Sequence, residues 1–559
     1  DGFNTAVGYL AGNVMTTGTN NTILGGLAGD AITTGGGNVA IGYEALSTED
    51  TTGGGVAIGY RALKLQDANA DAYNVAVGYS ASTAVTTGIK NTIIGGLAGD
   101  ALTTGSNNIA MGYGALGSED TGSRNVAIGQ DALGGLNYAG NGYNVAIGHN
   151  TGGAVTTGVQ NTIIGGLAGD ALTTGERNVA IGQSAMGAAN GSESRNVAIG
   201  WSALASMDAD GSNYNTAVGY NAGGAMTTGV QNTLIGGLAG DDLQTGDNNV
   251  ALGYNTLTSA NTNESGNIAI GANALNSLDN GVTAYTYNVA VGHNAGGAVT
   301  TGTNNTLIGG LAGDALTTGK ENTAVGKGAL GAAIIIDRNV AVGDGALEAL
   351  VGDGSTAGQD TNNTAVGFYA GTAMNSGTFN TVIGTQAGTA ITSGFQNTYL
   401  GAHTGLATTT SNYNTGLGQY ALKDNVEGDA NTAVGMGALQ GLNPADGASY
   451  NTAVGMQAGL AITSGVRNTI MGSLAGDAMT TTSDNVAVGY EALTSATVGN
   501  GNVAVGVAAM LTNVASDRNT AVGFQALYLA TSASTVDSYN TAIGFQAADH
   551  VTSGVQNTI

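Results

Sequence analysis

Cysteine is absent from this 559-residue chain, proline occurs once, at Pro444, and tryptophan once, at Trp201. Without cysteine there are no disulfides and no thiolate metal sites. A single proline, with glycine off any three-residue frame, excludes collagen. Charged residues are also scarce, at 9% against about 25% in ordinary globular proteins. Low charge accompanies disorder in chains that have little to bury, but this one is 42% hydrophobic and rich in β-branched residues. No apolar run reaches the ~20 residues of a membrane helix, so no membrane insertion is expected. Basic side chains number 12 against 38 acidic, a net charge of −26. That field repels phosphate backbones and anionic lipid, and nucleic acid is not expected as a partner.

What the chain has in place of these is repetition. Taking the Asn of "NTAVG" or "NVAIG" as position one, the mark falls at Asn4, Asn21 and Asn38, at Gly55 in the same frame, then at Asn74, Asn91, Asn108, Asn125 and onward to Asn557. Of the 31 intervals, 22 are 17 residues long and the others run from 18 to 24. Position four is always Val, Ile, Leu or Met, position five always Gly, and position eight Ala in 28 coils and Thr in three. Such phase-locked repetition marks a solenoid, each coil meeting its neighbours in one geometry. A fixed Gly, β-branched residues before it and "TTG" near the coil's end oppose helix. The fold expected is therefore all-β: a parallel β-solenoid (β-roll) of about 31 coils with a 17-residue period.

Within that frame, Gly8, Gly25, Gly42, Gly95 and Gly112 are expected as structural turns. Asn4, Asn21, Asn38, Asn91 and Asn108 are expected to form a ladder of amide-to-amide hydrogen bonds. Large side chains alternate between position nine (Leu46, Leu63, Leu116, Leu133) and position twelve (Met15, Ile32, Val85, Leu102), filling one slot from either side. Coils group into blocks of four at 4–73, 74–143, 144–214, 215–287 and 288–362, then of five at 363–450 and 451–539, with a further block starting at 540–559. Extra residues fall mainly in the last coil of a block, which an aromatic commonly closes. The chain starts at Asp1 without Met and stops at Ile559 inside another copy of the motif, so both ends read as cut.

The phrases "NVAIGYEAL", "NTAVGYNAGGAMTTG" and "NTAVGFQAL" resemble the 17-residue "NTAxGYxAL…TTG" repeat of bacteriophage tail fibres and bacterial surface fibres. More distantly they are similar to the β-roll heads of trimeric autotransporter adhesins. The resemblance covers nearly the whole chain. It implies an extracellular fibre, on a virion tail or cell surface, built as a homotrimer and used for attachment to a cell-surface glycan or protein receptor. With about three large apolar groups per coil a lone stack has a thin core, which also argues for lateral association. The Ala column at position eight, including Ala98 and Ala168, is expected to be a flat surface strip where chains meet.

Candidate sites of chemistry are few, and neither an enzymatic activity nor a cofactor is expected. "GGLAGD" lacks the Lys and following helix of a phosphate loop. Its acids, Asp30, Asp100, Asp170, Asp241 and Asp314, lie four coils apart, roughly 19 Å at ~4.8 Å per coil, too far to share a calcium ion. Asp208 and Asp210 stand in an insert without an obvious partner. His149 and His293 occupy position six, where other coils carry tyrosine, and His403 and His550 join no recurrent triad. Thr16-Thr17 and Thr103-Thr104 suggest a surface threonine ladder. The candidate surface contacts are Tyr73, Tyr143, Tyr214, Tyr287 and Trp201. Aromatics at position six have the shape to stack on sugars or to shield backbone.

Overall fold

The computed structural model describes residues 2–259, 264–281, 284–352, 359–445, 447–530 and 536–559. Among them there is no helix. The chain is a parallel β-solenoid of about 31 turns, each contributing one three-residue strand at positions two to four, such as Thr92–Ile94 and Ile109–Met111. It divides into two compact units, one made of residues 1–272 and 279–285, the other of 273–278 and 286–559. Within each unit, neighbouring strands pair in parallel and strictly in register: Thr92 opposite Ile109, Ile93 opposite Ala110, Ile94 opposite Met111. Two-residue strands next to the coils that carry extra residues form small side pairs, for example Ile336–Asp337 with Gln359–Asp360 of the longer coil that follows.

A three-residue strand has only one side chain pointing inward. That one is position three: Ile23, Ala40, Ile93 and Ala110 are buried, while Leu24, Ile94 and Met111 at position four are 47, 36 and 37% exposed. The unbroken apolar column therefore lies on the outside of the coil. The column of position eight is inside. Ala98 and Ala168 have no exposed surface, so the expectation of a surface alanine strip is overturned. The chain turns twice within five residues after the strand, which brings position eight back over position three. Only a small side chain fits between the layers there, alanine in most coils and the buried Thr151, Thr256 and Thr404 in three. Ala98→Glu would bury an unpaired charge in the core instead of disrupting a contact between chains.

The core is completed by the alternating large residues. Ile32, Leu46, Leu63, Val85, Leu102, Leu116 and Leu133 are all buried. A Cβ on Gly29 would come within 2.8 Å of the Ile32 side chain and 3.2 Å of Ile23, so its missing side chain makes room for theirs. One coil departs from the pattern: Tyr399 stands at position three, fully buried, with its hydroxyl 3.1 Å from Thr408. Gly416, its partner one coil on, leaves room for the ring.

The Gly at position five permits the sharp exit from the strand. Gly112 has φ +136°, and a Cβ there would sit 2.4 Å from the carbonyl oxygen of Gly129 in the next coil. Gly8, Gly25, Gly42 and Gly95 share that conformation. Non-glycine residues also take positive φ at fixed places, such as Leu97 (+56°) at position seven and Asn107 (+60°) at position seventeen. Contacts between successive coils hold them there, against a cost of about 1 kcal/mol each.

Candidate binding surfaces

The asparagine column is interior, and its geometry differs from a chain of amides alone. Asn108 is buried; its backbone N–H donates to Asn91 Oδ1 (2.9 Å), and its own Oδ1 accepts from the N–H of Asn125 (3.0 Å). Its Nδ2 donates to the carbonyl of Gly122, position fifteen of the same coil (2.9 Å). Asn21, Asn38 and Asn91 repeat the arrangement, bracing their coils to Gly35, Thr52 and Gly105, and Asn4 braces to Gly18. Amide-to-amide bonds accompany these in some coils, as from Asn21 to Asn4 (3.1 Å). Where Gly55 interrupts the column, Gln66 takes the place of the missing amide: it donates to Glu49 (3.0 Å) and accepts from Asn74 (2.8 Å). Gln66 occupies position twelve of the coil that Gly55 opens, seventeen residues after Glu49, where a neighbouring block has Leu136.

The block-closing tyrosines sit on the outside with positive φ, 49° at Tyr73, 50° at Tyr143, 55° at Tyr214 and 50° at Tyr287. Tyr143 and Tyr214 lie under the guanidinium groups of Arg124 and Arg195, each 5.5 Å from the ring centre, and Tyr143 also accepts a hydrogen bond from Arg124. Arg518 stands 5.7 Å from the Tyr539 ring in the same way. The recurring "RN" about 20 residues before "YN" is the sequence signal for these pairs. Tyr73 packs its ring against Gly54 and bonds Asp71 (3.3 Å), and Tyr287 is 57% exposed.

Aromatic rings at position six stack along the coil axis. Tyr43 and Tyr60 are 5.7 Å apart between centres, Tyr60 and Tyr79 5.1 Å, and Trp201 and Tyr220 5.0 Å, all close to parallel. His403 belongs to a similar pair at position seven, 5.4 Å from Tyr420. The threonines bond across coils through backbone: Thr16 Oγ1 donates to the Thr33 carbonyl (3.1 Å) and Thr33 Oγ1 to that of Asp50 (3.1 Å).

The acids mostly serve the backbone. Asp210 accepts from the N–H and hydroxyl of Ser192 (3.0 and 3.1 Å), which holds its carboxyl below the usual range; the expectation that it lacks a partner is corrected. Burial raises Asp30, Asp100, Asp170 and Asp314 above the ordinary carboxylate value, and pushes Asp241 up to about 6 with help from the neighbouring Asp242. Glu119 is buried and also raised, with Oε1 accepting from the Gly122 N–H (2.7 Å). Glu49, Asp50 and Asp67 are the one group of acids among the described residues whose oxygens lie within 4.8 Å of each other. Glu49 already holds the Thr52 N–H (3.0 Å) and Gln66. His550 pairs with Asp549 (3.0 Å) at the surface.

The fold thus places the chain in the class of parallel β-solenoids. No protein-family model matches it, and no curated protein does.

Proposed function

We propose that this chain is the structural, non-catalytic shaft of an extracellular attachment fibre, of the kind found on phage tails, assembled as a homotrimer. The observation that carries the reading is the outward strand face. Each coil presents its position-four side chain, and in many coils a second aliphatic group at position two, to the outside in strict register. Ile94, Ile109 and Met111 are 36 to 37% exposed, and Ile268, Ile308 and Leu252 continue the pattern. Most other coils show a partly exposed Val or Ile at the same place, such as Ile41, Ile58 and Ile128, so the apolar stripe runs on from coil to coil as a face a partner can cover. Three copies meeting face to face around one axis would cover it in a closed assembly. The resemblance to fibre repeats points to the same number. A second reading, a surface adhesin head binding glycans or host surface through its lateral loops, draws on the Arg–Tyr posts beside the inserts.

The experiment is the solution mass of the purified chain by light scattering. Three times the 54.4 kDa of one chain is expected. Ile94→Lys with Met111→Lys should lower that mass while leaving the β-sheet signal intact. A stable monomer with native β-structure overturns the trimer. Imaging of native particles, with this chain labelled, tests whether it forms a fibre.

A further inference from the structure

The stack of position-six rings is interrupted at regular places, and the interruptions have a shape. In the first unit the position-six residues of successive coils run Tyr9, Gly26, Tyr43, Tyr60, Tyr79, Gly96, Tyr113, and later Trp201, Tyr220, Gly237, Tyr254. At Gly26, Gly96 and Gly237 one ring is missing between two others. A Cβ on these glycines would meet only the ring of the following coil among side chains, at 3.5 Å (Tyr43), 3.6 Å (Tyr113) and 3.6 Å (Tyr254). The flanking rings are strongly exposed, Tyr79 at 60%, Tyr113 at 57%, Tyr220 at 58% and Tyr254 at 62%. Tyr43, stacked on one side only, is 45% exposed, and Tyr60, inside an unbroken run, less still. Each gap is therefore a slot one coil deep, with a tyrosine ring for each wall and glycine backbone for its floor.

We infer that these three slots each bind one neutral pyranose ring of a glycan. Two coil rises of ~4.8 Å set the walls about 9.6 Å apart. A flat aromatic ring in close contact with both walls, at about 3.5 Å from each, needs only about 7 Å and would leave one wall untouched. A chair-shaped sugar is thicker by its axial hydrogens and reaches both tyrosine faces with its C–H surfaces, leaving its hydroxyls at the open rim. The net charge of −26 disfavours uronic and sialic acids and selects neutral sugars. Slots at Gly26 and Gly96 are four coils apart, about 19 Å, and the third lies eight coils further on, so a repeating glycan engages them together. The inference deepens the attachment reading by naming what is gripped, and it stands or falls separately from it.

The ladder supplies its own test variant. Gly26→Tyr, Gly96→Tyr and Gly237→Tyr install the residue that other coils carry at this position, and none of the three glycines has a positive φ, so the filled chain is expected to fold normally. The full chain is titrated with neutral methyl glycosides and neutral oligosaccharides, following heat and the fluorescence of Trp201. That residue is the only tryptophan, and it stacks on the Tyr220 wall of the third slot. Binding should fall at least tenfold in the triple variant. The Trp201 response should vanish with Gly237→Tyr and persist with Gly96→Tyr. Absence of sugar binding, unchanged binding in the filled chain, or binding of phenol without any pyranoside each overturns the inference. Cell attachment retained by the filled chain sinks the slots and spares the fibre; sugar binding without cell attachment does the reverse.

Discussion

Replacing Asn108 by alanine removes both halves of one brace. The backbone N–H of Asn125 loses its acceptor at 3.0 Å, and the carbonyl of Gly122 loses its donor at 2.9 Å. Asn108 is 1% exposed, so water does not reach either group without entering the core. An unpartnered buried backbone group costs about 1–3 kcal/mol, which puts the pair at about 2–6 kcal/mol. The space vacated by a carboxamide is close to that of one water, and a trapped water bridging the two groups recovers some of the loss. We expect about 2–4 kcal/mol. In a solenoid the effect should be local, because each coil contacts only its neighbours. Amide hydrogen exchange is therefore the assay, read at Asn125 and across the coils that begin at Asn91, Asn108 and Asn125. Asn107→Gly, an exposed neighbour already at positive φ, is the control and should change protection by less than about 0.5 kcal/mol. A similarly small change in Asn108→Ala, or loosening spread evenly to remote coils, would refute the bracing argument.

Gly112→Val should open its coil more severely than any surface change, since φ +136° and a carbonyl 2.4 Å from the new Cβ oppose it together; unchanged thermal unfolding would sink the turn assignment. Gly416→Ala should destabilise by about 1–3 kcal/mol, its Cβ falling 2.7 Å from Thr404 Cγ2 and 3.0 Å from the Tyr399 ring, and the share due to Tyr399 should appear as a coupling of about 1 kcal/mol in a double-mutant cycle with Tyr399→Ala by urea unfolding. Asp241 titrates near 3.8 when unfolded and at about 6 when folded, so its contribution is fully favourable below about pH 4 and is lost as pH rises through 6. Lowering the pH from 7 to 5 should therefore raise the melting temperature, and Asp241→Asn should stabilise at pH 7 by on the order of 1–3 kcal/mol while flattening the profile between pH 4 and 6. An unaltered profile in that variant would count against the burial of its carboxylate.

The period, the strand and the β-solenoid were legible because each rests on a repeated local requirement: a Gly that turns, a β-branched pair before it, an Asn in phase. Which face of the strand looks inward was not. Position four has the larger and more uniform apolar residues, yet Ala40, Ala110 and their equivalents at position three are buried and Ile94 and Met111 are not. A three-residue strand offers no period long enough to tell the two faces apart, and the inward position takes alanine in some coils and Ile23, Ile93 or Tyr399 in others. Ala98 misleads for the same reason, since smallness suits a crowded interior as well as a flat contact. The Arg124–Tyr143 post depends on extra residues meeting across coils, which a register counted along the chain does not follow, and the Gln66 stand-in replaces an amide at position one with one from position twelve.

The brace also settles where this polymer tolerates a change of length. In coils of standard length the Asn amide grips the carbonyl fourteen residues ahead, and in two coils with a single extra residue it stretches to the fifteenth, at Glu193 and Glu264. In longer coils it lets go and turns back to the carbonyl two residues before it: Asn125 to Ser123, Asn196 to Ser194, Asn267 to Ser265, Asn339 to Asp337 and Asn431 to Asp429. These unclasped turns are the places where insertion or deletion leaves the neighbouring register untouched. Clasped coils accept one extra residue at most, as those of Asn178 and Asn249 do, and beyond that only whole multiples of seventeen. Lineages carrying this repeat should therefore diverge by two separate routes, duplication of entire turns along the axis and free editing of roughly every fourth or fifth one.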